Sequence, residues 1–221
     1  MDTNYLIRKA TIDDVIFLAD VIIGAEKSMT ETLGLAKVFE LSEEKIHELI
    51  VAMLGEEVDG CEYSISSFFI ALCSGKPVAA MGGWLECYYD SMPSNLIKSN
   101  LVNFVFPREN VIIAQSKSEI IKGMQFEREK GTYQLEYVYV HPEHRGKELA
   151  NKLNAVHFDY AKQLDPNCRK VQVQVFESNT SSIRSLEKIG FHCVRKFVSD
   201  NDYILKYMPF NIKILLEKDL D

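Results

Sequence analysis

Between Gln134 and Asn151 the chain reads QLEYVYVHPEHRGKELAN. The β-rich run Gln134 to Val140 predicts a strand, His141-Pro142 a turn, and Arg145-Gly146-Lys147-Glu148-Leu149-Ala150 the opening of a helix. The first turn of a helix carries backbone N–H groups with no intrahelical partner, and its aligned peptide dipoles add about half a positive charge. Such a place binds phosphate. Arg145, Lys147 and Lys152 add charge of the right sign around it. Glu136, near the exit of the strand, is a carboxylate able to take a proton directly or through a water.

The order of these residues resembles the acyl-CoA signature of the GNAT superfamily of N-acyltransferases, written Gln/Arg-x-x-Gly-x-Gly/Ala, with Arg145, Glu148 and Ala150 in its fixed positions. Val138-Tyr139-Val140-His141-Pro142-Glu143 resembles the approach to that signature. Glu177-Ser178-Asn179 and Glu187-Lys188-Ile189-Gly190-Phe191 resemble the helix and exit that follow it. With Leu6 to Asp14 the resemblance covers most of the chain, except Glu26 to Leu41 and Cys87 to Gly131.

The resemblance implies acetyl-CoA as acyl donor. It implies a pyrophosphate on the turn formed by Arg145, Gly146, Lys147, Glu148, Leu149, Ala150 and Asn151. It also implies a thioester carbonyl and pantetheine arm along the backbone of Val138, Tyr139 and Val140. Glu136 matches the position where many members carry a glutamate, and is the expected base. Asn179 either hydrogen-bonds CoA or caps its own helix.

Two positions depart from the family. Glu148 stands where glycine commonly lets the backbone approach a pyrophosphate without a Cβ in the way, and is expected to face outward in the first helical turn, where it suits the dipole. Leu186 stands where the family has its thiol-protonating tyrosine, and cannot donate a proton. Two readings follow. One is an N-acetyltransferase moving acetyl from acetyl-CoA to a primary amine of a small molecule or a protein. The other is a non-catalytic acyl-CoA-binding or interaction module on the same fold.

Bulk properties narrow the alternatives. Lys plus Arg number 25 against 32 Asp plus Glu, a net charge of −7, which argues against a nucleic-acid partner and mildly favours a cationic acceptor. Five scattered cysteines without a C-x-x-C pair favour reduced thiols over disulfides or zinc. His141-Pro142-Glu143-His144 is expected to be a proline turn, so no metal is expected. The first residues lack a secretory pattern, and the apolar stretch Val15 to Ala25, broken by Asp20, is too short to span a bilayer. A cytoplasmic protein with no membrane partner is the expectation, and a homodimer is compatible with it. No G-x-x-x-x-G-K-[ST], H-E-x-x-H or G-x-S-x-G motif occurs.

The elements that must position these residues follow from spacing. Tyr5 to Lys9 predicts a strand, and Thr11 to Asp14 a capping box before a helix. Ser42 caps a second helix that buries Ile46, Leu49, Ile50 and Met53. Glu26 and Glu31, in the weakly patterned stretch nearby, are loop acids that meet either solvent or an amine. Ile65 to Cys73 and Val78 to Leu85 predict a hairpin, with Gly82-Gly83 marking a bulge or a close approach.

A helical insertion is expected at about 87–131, over Pro93 to Val102 and Arg108 to Met124, burying Leu96, Leu101, Val111, Ile112, Ile120 and Ile121. A helix from Leu149 to Leu164, a strand from Lys170 to Val175 and a helix closed by Gly190 come next. His192 to Val198 and Tyr203 to Met208 predict a closing hairpin, and the tail from Asn211 carries no assignment. The fold class expected is α/β, a GNAT-like acyl-CoA N-acyltransferase fold in one domain, 1–221. Its central sheet is mixed and mostly antiparallel, with helices on both faces and a parallel pair splayed near the CoA turn.

Overall fold

A computed structural model describes residues 4–220. Seven strands form one sheet: β1 (Tyr5–Lys9), β2 (Phe68–Cys73), β3 (Lys76–Leu85), β4 (Tyr133–Val140), β5 (Lys170–Phe176), β6 (His192–Val198) and β7 (Ile212–Asp219). Their spatial order is β1-β2-β3-β4-β5-β7-β6. Among the described residues only the β4–β5 pair is parallel. The mixed, mostly antiparallel sheet is as expected.

Two apolar layers sandwich it. On the front face, α1 (Val15–Glu26), α2 (Gly34–Phe39) and α3 (Glu43–Gly55) pack with α4 (Ser94–Val105) and α5 (Arg108–Ser116). On the back face, α7 (Leu149–Leu164) and α8 (Thr180–Lys188) cover Val171, Val173, Ile214 and Leu216. The short α6 (Ser118–Ile121) follows α5. The capping box forms as the sequence predicts, with Asp14 accepting from the Thr11 backbone at 2.8 Å and held by Arg8 at 2.7 Å. Ser42 Oγ accepts from the Lys45 N–H at 3.2 Å, and the predicted face of α3 is buried.

Gly83 shows why a side chain is excluded from the middle of β3. A Cβ there would lie 2.7 Å from the Tyr133 ring and 2.8 Å from both His157 and Leu135. The close approach lets α7 settle on the sheet, with buried His157 bonded to Tyr133 Oη at 2.8 Å and to the Met81 carbonyl at 3.0 Å. Burial pulls the His157 pKa down to about 4 against the raising effect of that carbonyl.

The C-terminal half corrects the sequence reading. The partner of β6 is the unassigned tail, which forms β7 and inserts between β5 and β6. Asp202 to Lys206 is a 3-10 helix instead of a strand. Lys213, Glu217 and Asp219 on one face and Lys218 on the other hide the β7 pattern, although the strand lies between β5 and β6. In the insertion, Leu101 and Val111 are buried, whereas Leu96 and Ile112 point to solvent at 48% and 56% exposure. Ile97 takes the place of Leu96 in the core, a one-residue rotation of α4 relative to the predicted face.

Candidate active site

The site begins where β4 changes partners. Beside β5 it is paired only over Tyr133–Leu135, and beyond Leu135 the two strands part. Beside β3 the register shifts between Ala80 and Gly82, opposite the β4 segment from Glu136 to Tyr139. Tyr137 absorbs the extra residue at φ 55°, a left-handed conformation that an aromatic side chain adopts only under constraint. Glu136 and Tyr137 consequently both reach the front face, where a regular strand would send them to opposite sides.

The parting also frees backbone. His141 N–H donates to the Val78 carbonyl at 2.8 Å, on the β3 side. Alternation along the strand then turns the Val140 and Val138 N–H groups toward β5, where the sheet no longer provides partners. By the same alternation Tyr139 presents its backbone to Ala80, and its ring packs edge-on to Phe17 with centroids 6.5 Å apart.

Past Val140 a single 3-10 turn, Pro142–His144, leads to the start of α7. The backbone N–H groups of Gly146, Lys147, Glu148, Leu149, Ala150 and Asn151 donate to no other group among the described residues. Six free donors at a helix N-terminus suit the oxygens of a pyrophosphate. Gly146 lies at φ 74° and Glu148 at φ 57°, and the Glu148 side chain is exposed. Arg145 folds back so that its Nε donates to the Val140 carbonyl at 3.1 Å, and Lys152 Nζ sits 5.8 Å from the Tyr5 ring centroid.

Asn179 caps α8, its Oδ1 accepting from the Ser182 N–H at 3.3 Å. Leu186, on the inner side of α8, is buried among apolar residues. The His141, Glu143 and His144 ligand atoms lie within 4.8 Å of one another on the surface, and His144 Nδ1 is hydrogen-bonded to Tyr5 Oη at 3.0 Å.

On the front face Glu136 joins a polar network that the sequence did not disclose. Arg128 Nη2 donates to Glu136 Oε1 at 2.6 Å and to Glu62 Oε1 at 3.1 Å. Its Nη1 donates to Ser94 Oγ at 2.8 Å, and its guanidinium lies 4.8 Å from the Trp84 ring centroid. Lys98 Nζ donates to the same Glu62 oxygen at 2.8 Å. Burial by itself would raise the Glu62 pKa, but Arg128 and Lys98 outweigh it and hold the carboxyl at about 2.

Beside this network Tyr137 Oη donates to Glu26 Oε1 at 3.0 Å and lies 3.5 Å from Tyr63 Oη. Burial pushes the Glu26 carboxyl upward despite Lys213 and Lys98, and pushes the Tyr137 hydroxyl well above its ordinary range, so it stays a donor. Glu62, Lys98 and Arg128 stand 74, 38 and 8 residues before Glu136 in sequence, two of them in the insertion. No spacing rule connects them, and Glu127-Arg128-Glu129-Lys130 reads as an ordinary solvated charge run.

A parallel pair splayed at a bulge, with a free helix N-terminus at the end of the splayed strand, defines an α/β protein of the acyl-CoA N-acyltransferase architecture. The chain belongs to the acetyltransferase (GNAT) family, whose model matches residues 58–191. No curated protein sequence matches this chain. Among solved structures it is similar to an N-acetyltransferase from Staphylococcus aureus Mu50, with TM-score 0.65 and 13% identity over 96% of this chain and 99% of that one. It is similar to the PaiA N-acetyltransferase from Thermoplasma acidophilum in complex with coenzyme A, with TM-score 0.54 and 12% identity over 98% and 99%. It is also similar to the ribosomal-protein-alanine N-acetyltransferase from Brucella melitensis, with TM-score 0.54 and 16% identity over 97% and 99%. At these identities the likeness is one of fold.

Proposed function

We propose that the protein transfers an acetyl group from acetyl-CoA to a primary amine. The observation that carries this reading is the pair of backbone donor groups without partners among the described residues, Val138 and Val140 in the β4–β5 gap and Gly146–Asn151 at the start of α7. The gap suits a pantetheine arm and the helix terminus a pyrophosphate. A coenzyme A complex of a structure with this fold supports the same assignment.

In this reading Glu136 takes the proton of the acceptor ammonium, whose ordinary pKa near 10.4 leaves little free amine at neutral pH. Arg128 fixes one Glu136 oxygen and leaves the other to the amine or a bridging water. The amine nitrogen bonds to the thioester carbonyl carbon while the Val138 or Val140 N–H stabilises the oxyanion, the larger part of the expected rate gain. The carbon–sulfur bond then breaks, and the surplus proton of the new amide nitrogen passes through water to the thiolate, since Leu186 has none to give. Arg145 swings from Val140 to reach phosphate, and Asn179 serves as cap.

Leu186 also favours a second reading, an acyl-CoA-binding module without turnover. Isothermal titration with acetyl-CoA, followed by CoA-thiol release over an amine panel, separates the two. Turnover that falls at least about a hundredfold in Glu136→Gln supports the transferase. Binding without turnover supports the module, and absence of binding at millimolar acetyl-CoA overturns both.

A further inference from the structure

Outside the groups used above, Lys213 stands out on the front face. It lies on β7 opposite Phe176 of β5, three residues beyond Val173, the last β5 residue paired with β4. That height is within the parting of β4 and β5. Side chains at 172, 174 and 176 of β5 alternate to the front face, away from the back-face valines, and the Lys213 Nζ sits 5.3 Å from the Phe176 ring centroid. Nζ therefore hangs over β5 at the mouth of the splay.

The charges around it are accounted for. Glu62 and Glu136 are matched by Lys98 and Arg128 through direct ion pairs. Glu26, from the end of α1, accepts the Tyr137 hydroxyl, and burial favours its neutral form. Lys213 has no ion pair and no hydrogen bond among the described residues, although it is half-buried and within electrostatic reach of Glu136 and Glu26. A half-buried ammonium that no protein group engages is open to an anion that a ligand supplies. Burial lowers its pKa, offset in part by Glu136 and Glu26.

We infer that Lys213 receives an anionic group of the acyl acceptor, so that the acceptor is a small amine that also carries a carboxylate or a phosphate. This rests on the acetyl-transfer reading. The amine end meets Glu136 on β4 and the anionic end meets Lys213 over β5, with the Phe176 ring as floor between them. The whole-chain charge of −7 favours cations in the bulk field, but the local arrangement sets Lys213, without an ion pair among the described residues, on the far side of β5 from Glu136. Near contact the local charge dominates, because solvent and salt screen the remote charges.

The test measures acceptor binding instead of turnover. Full-length protein saturated with CoA is titrated calorimetrically with 4-aminobutanoate, O-phosphoethanolamine and butylamine, in the wild type, Lys213→Met and Lys213→Arg. The expected result is that one anion-bearing amine binds at least about tenfold tighter than butylamine, that Lys213→Met erases this ratio, and that Lys213→Arg keeps most of it. Whether the carboxylate or the phosphate is preferred identifies the anion. Equal or tighter binding of butylamine, a ratio unchanged in Lys213→Met, or no binding of either anion-bearing amine up to about 10 mM overturns the inference. Acetyl-CoA affinity, measured separately in all three proteins, is expected to agree within about twofold. Its absence in the wild type would overturn the transferase reading itself.

Discussion

Glu148 carries two separable consequences, one for the backbone and one for charge. Its φ of 57° belongs to a region that disfavours L side chains by about 1–2 kcal/mol. Replacing it by glycine removes that strain, and the greater freedom of glycine in the unfolded chain gives back about 0.5–1 kcal/mol. The net gain is about 0.5–1 kcal/mol, a rise in Tm of about 2–3 °C for a chain of this size. The exposed carboxylate also belongs to a residue of the proposed pyrophosphate turn. A unit charge about 6 Å from a phosphate charge in a water-like medium interacts by about 0.7 kcal/mol, or about threefold in Kd. Glu148→Gln removes the charge and keeps the left-handed residue, whereas Glu148→Gly removes both. Thermal unfolding should therefore shift only for glycine, and acetyl-CoA should bind about threefold tighter to both variants, less so at high salt. A Tm for Glu148→Gly at or below that of Glu148→Gln would refute the strain argument. Unchanged affinity in both at low salt would refute the charge argument.

Other outcomes follow from the same geometry. Arg128→Met strands Glu62, 1% exposed, with Lys98 as its remaining cation, and should cost about 3 kcal/mol in urea unfolding. Gly83→Ala puts a Cβ 2.7 Å from Tyr133 and should destabilise by about 1–3 kcal/mol in the same assay. The fully buried His157 is held neutral, with its pKa lowered to about 4 from 6.5. Its contribution, on the order of 3 kcal/mol, is complete above pH 6.5 and lost as pH falls to about 4. Glu62, lowered to about 2 from 4.5, contributes stability that is present above pH 4.5 and lost as pH falls toward 2. Urea titrations at pH 7, 5.5 and 4 should show progressive loss, and a flat profile between pH 7 and 4 would contradict the buried neutral histidine.

Local signals carried the first half of the fold. The Thr11–Asp14 box, the Ser42 cap and the hairpin around Ser74-Gly75 depend on neighbours within a few residues, so their chemistry is written in adjacent letters. Gly82-Gly83 was legible as a close approach, but the identity of what approaches, Phe68 from β2 and Tyr133 and His157 from β4 and α7, was not. β7 was missed because a central strand carrying Lys213 and Glu217 alternates charge with apolar residues, as an exposed tail also can. Tyr203 to Met208 was misread as the partner of β6, a place that β7 takes, and the segment around it forms a 3-10 turn.

The sequence by itself determined the strand, turn and helix terminus from Gln134 to Asn151, the place of Glu136 on that strand, and the family. Each rests on contiguous residues whose spacing fixes backbone geometry. Only the tertiary structure decided that β4 parts from β5 beyond Leu135, that a bulge brings Glu136 and Tyr137 to one face, and that Arg128, Glu62 and Lys98 converge on that face. It alone placed Lys213 over the gap without a counter-ion among the described residues. The physical reason is that charge pairing and burial depend on distance in space. The residues that compose the site are brought together by the packing of an insertion and a C-terminal strand onto the sheet, which no local pattern encodes.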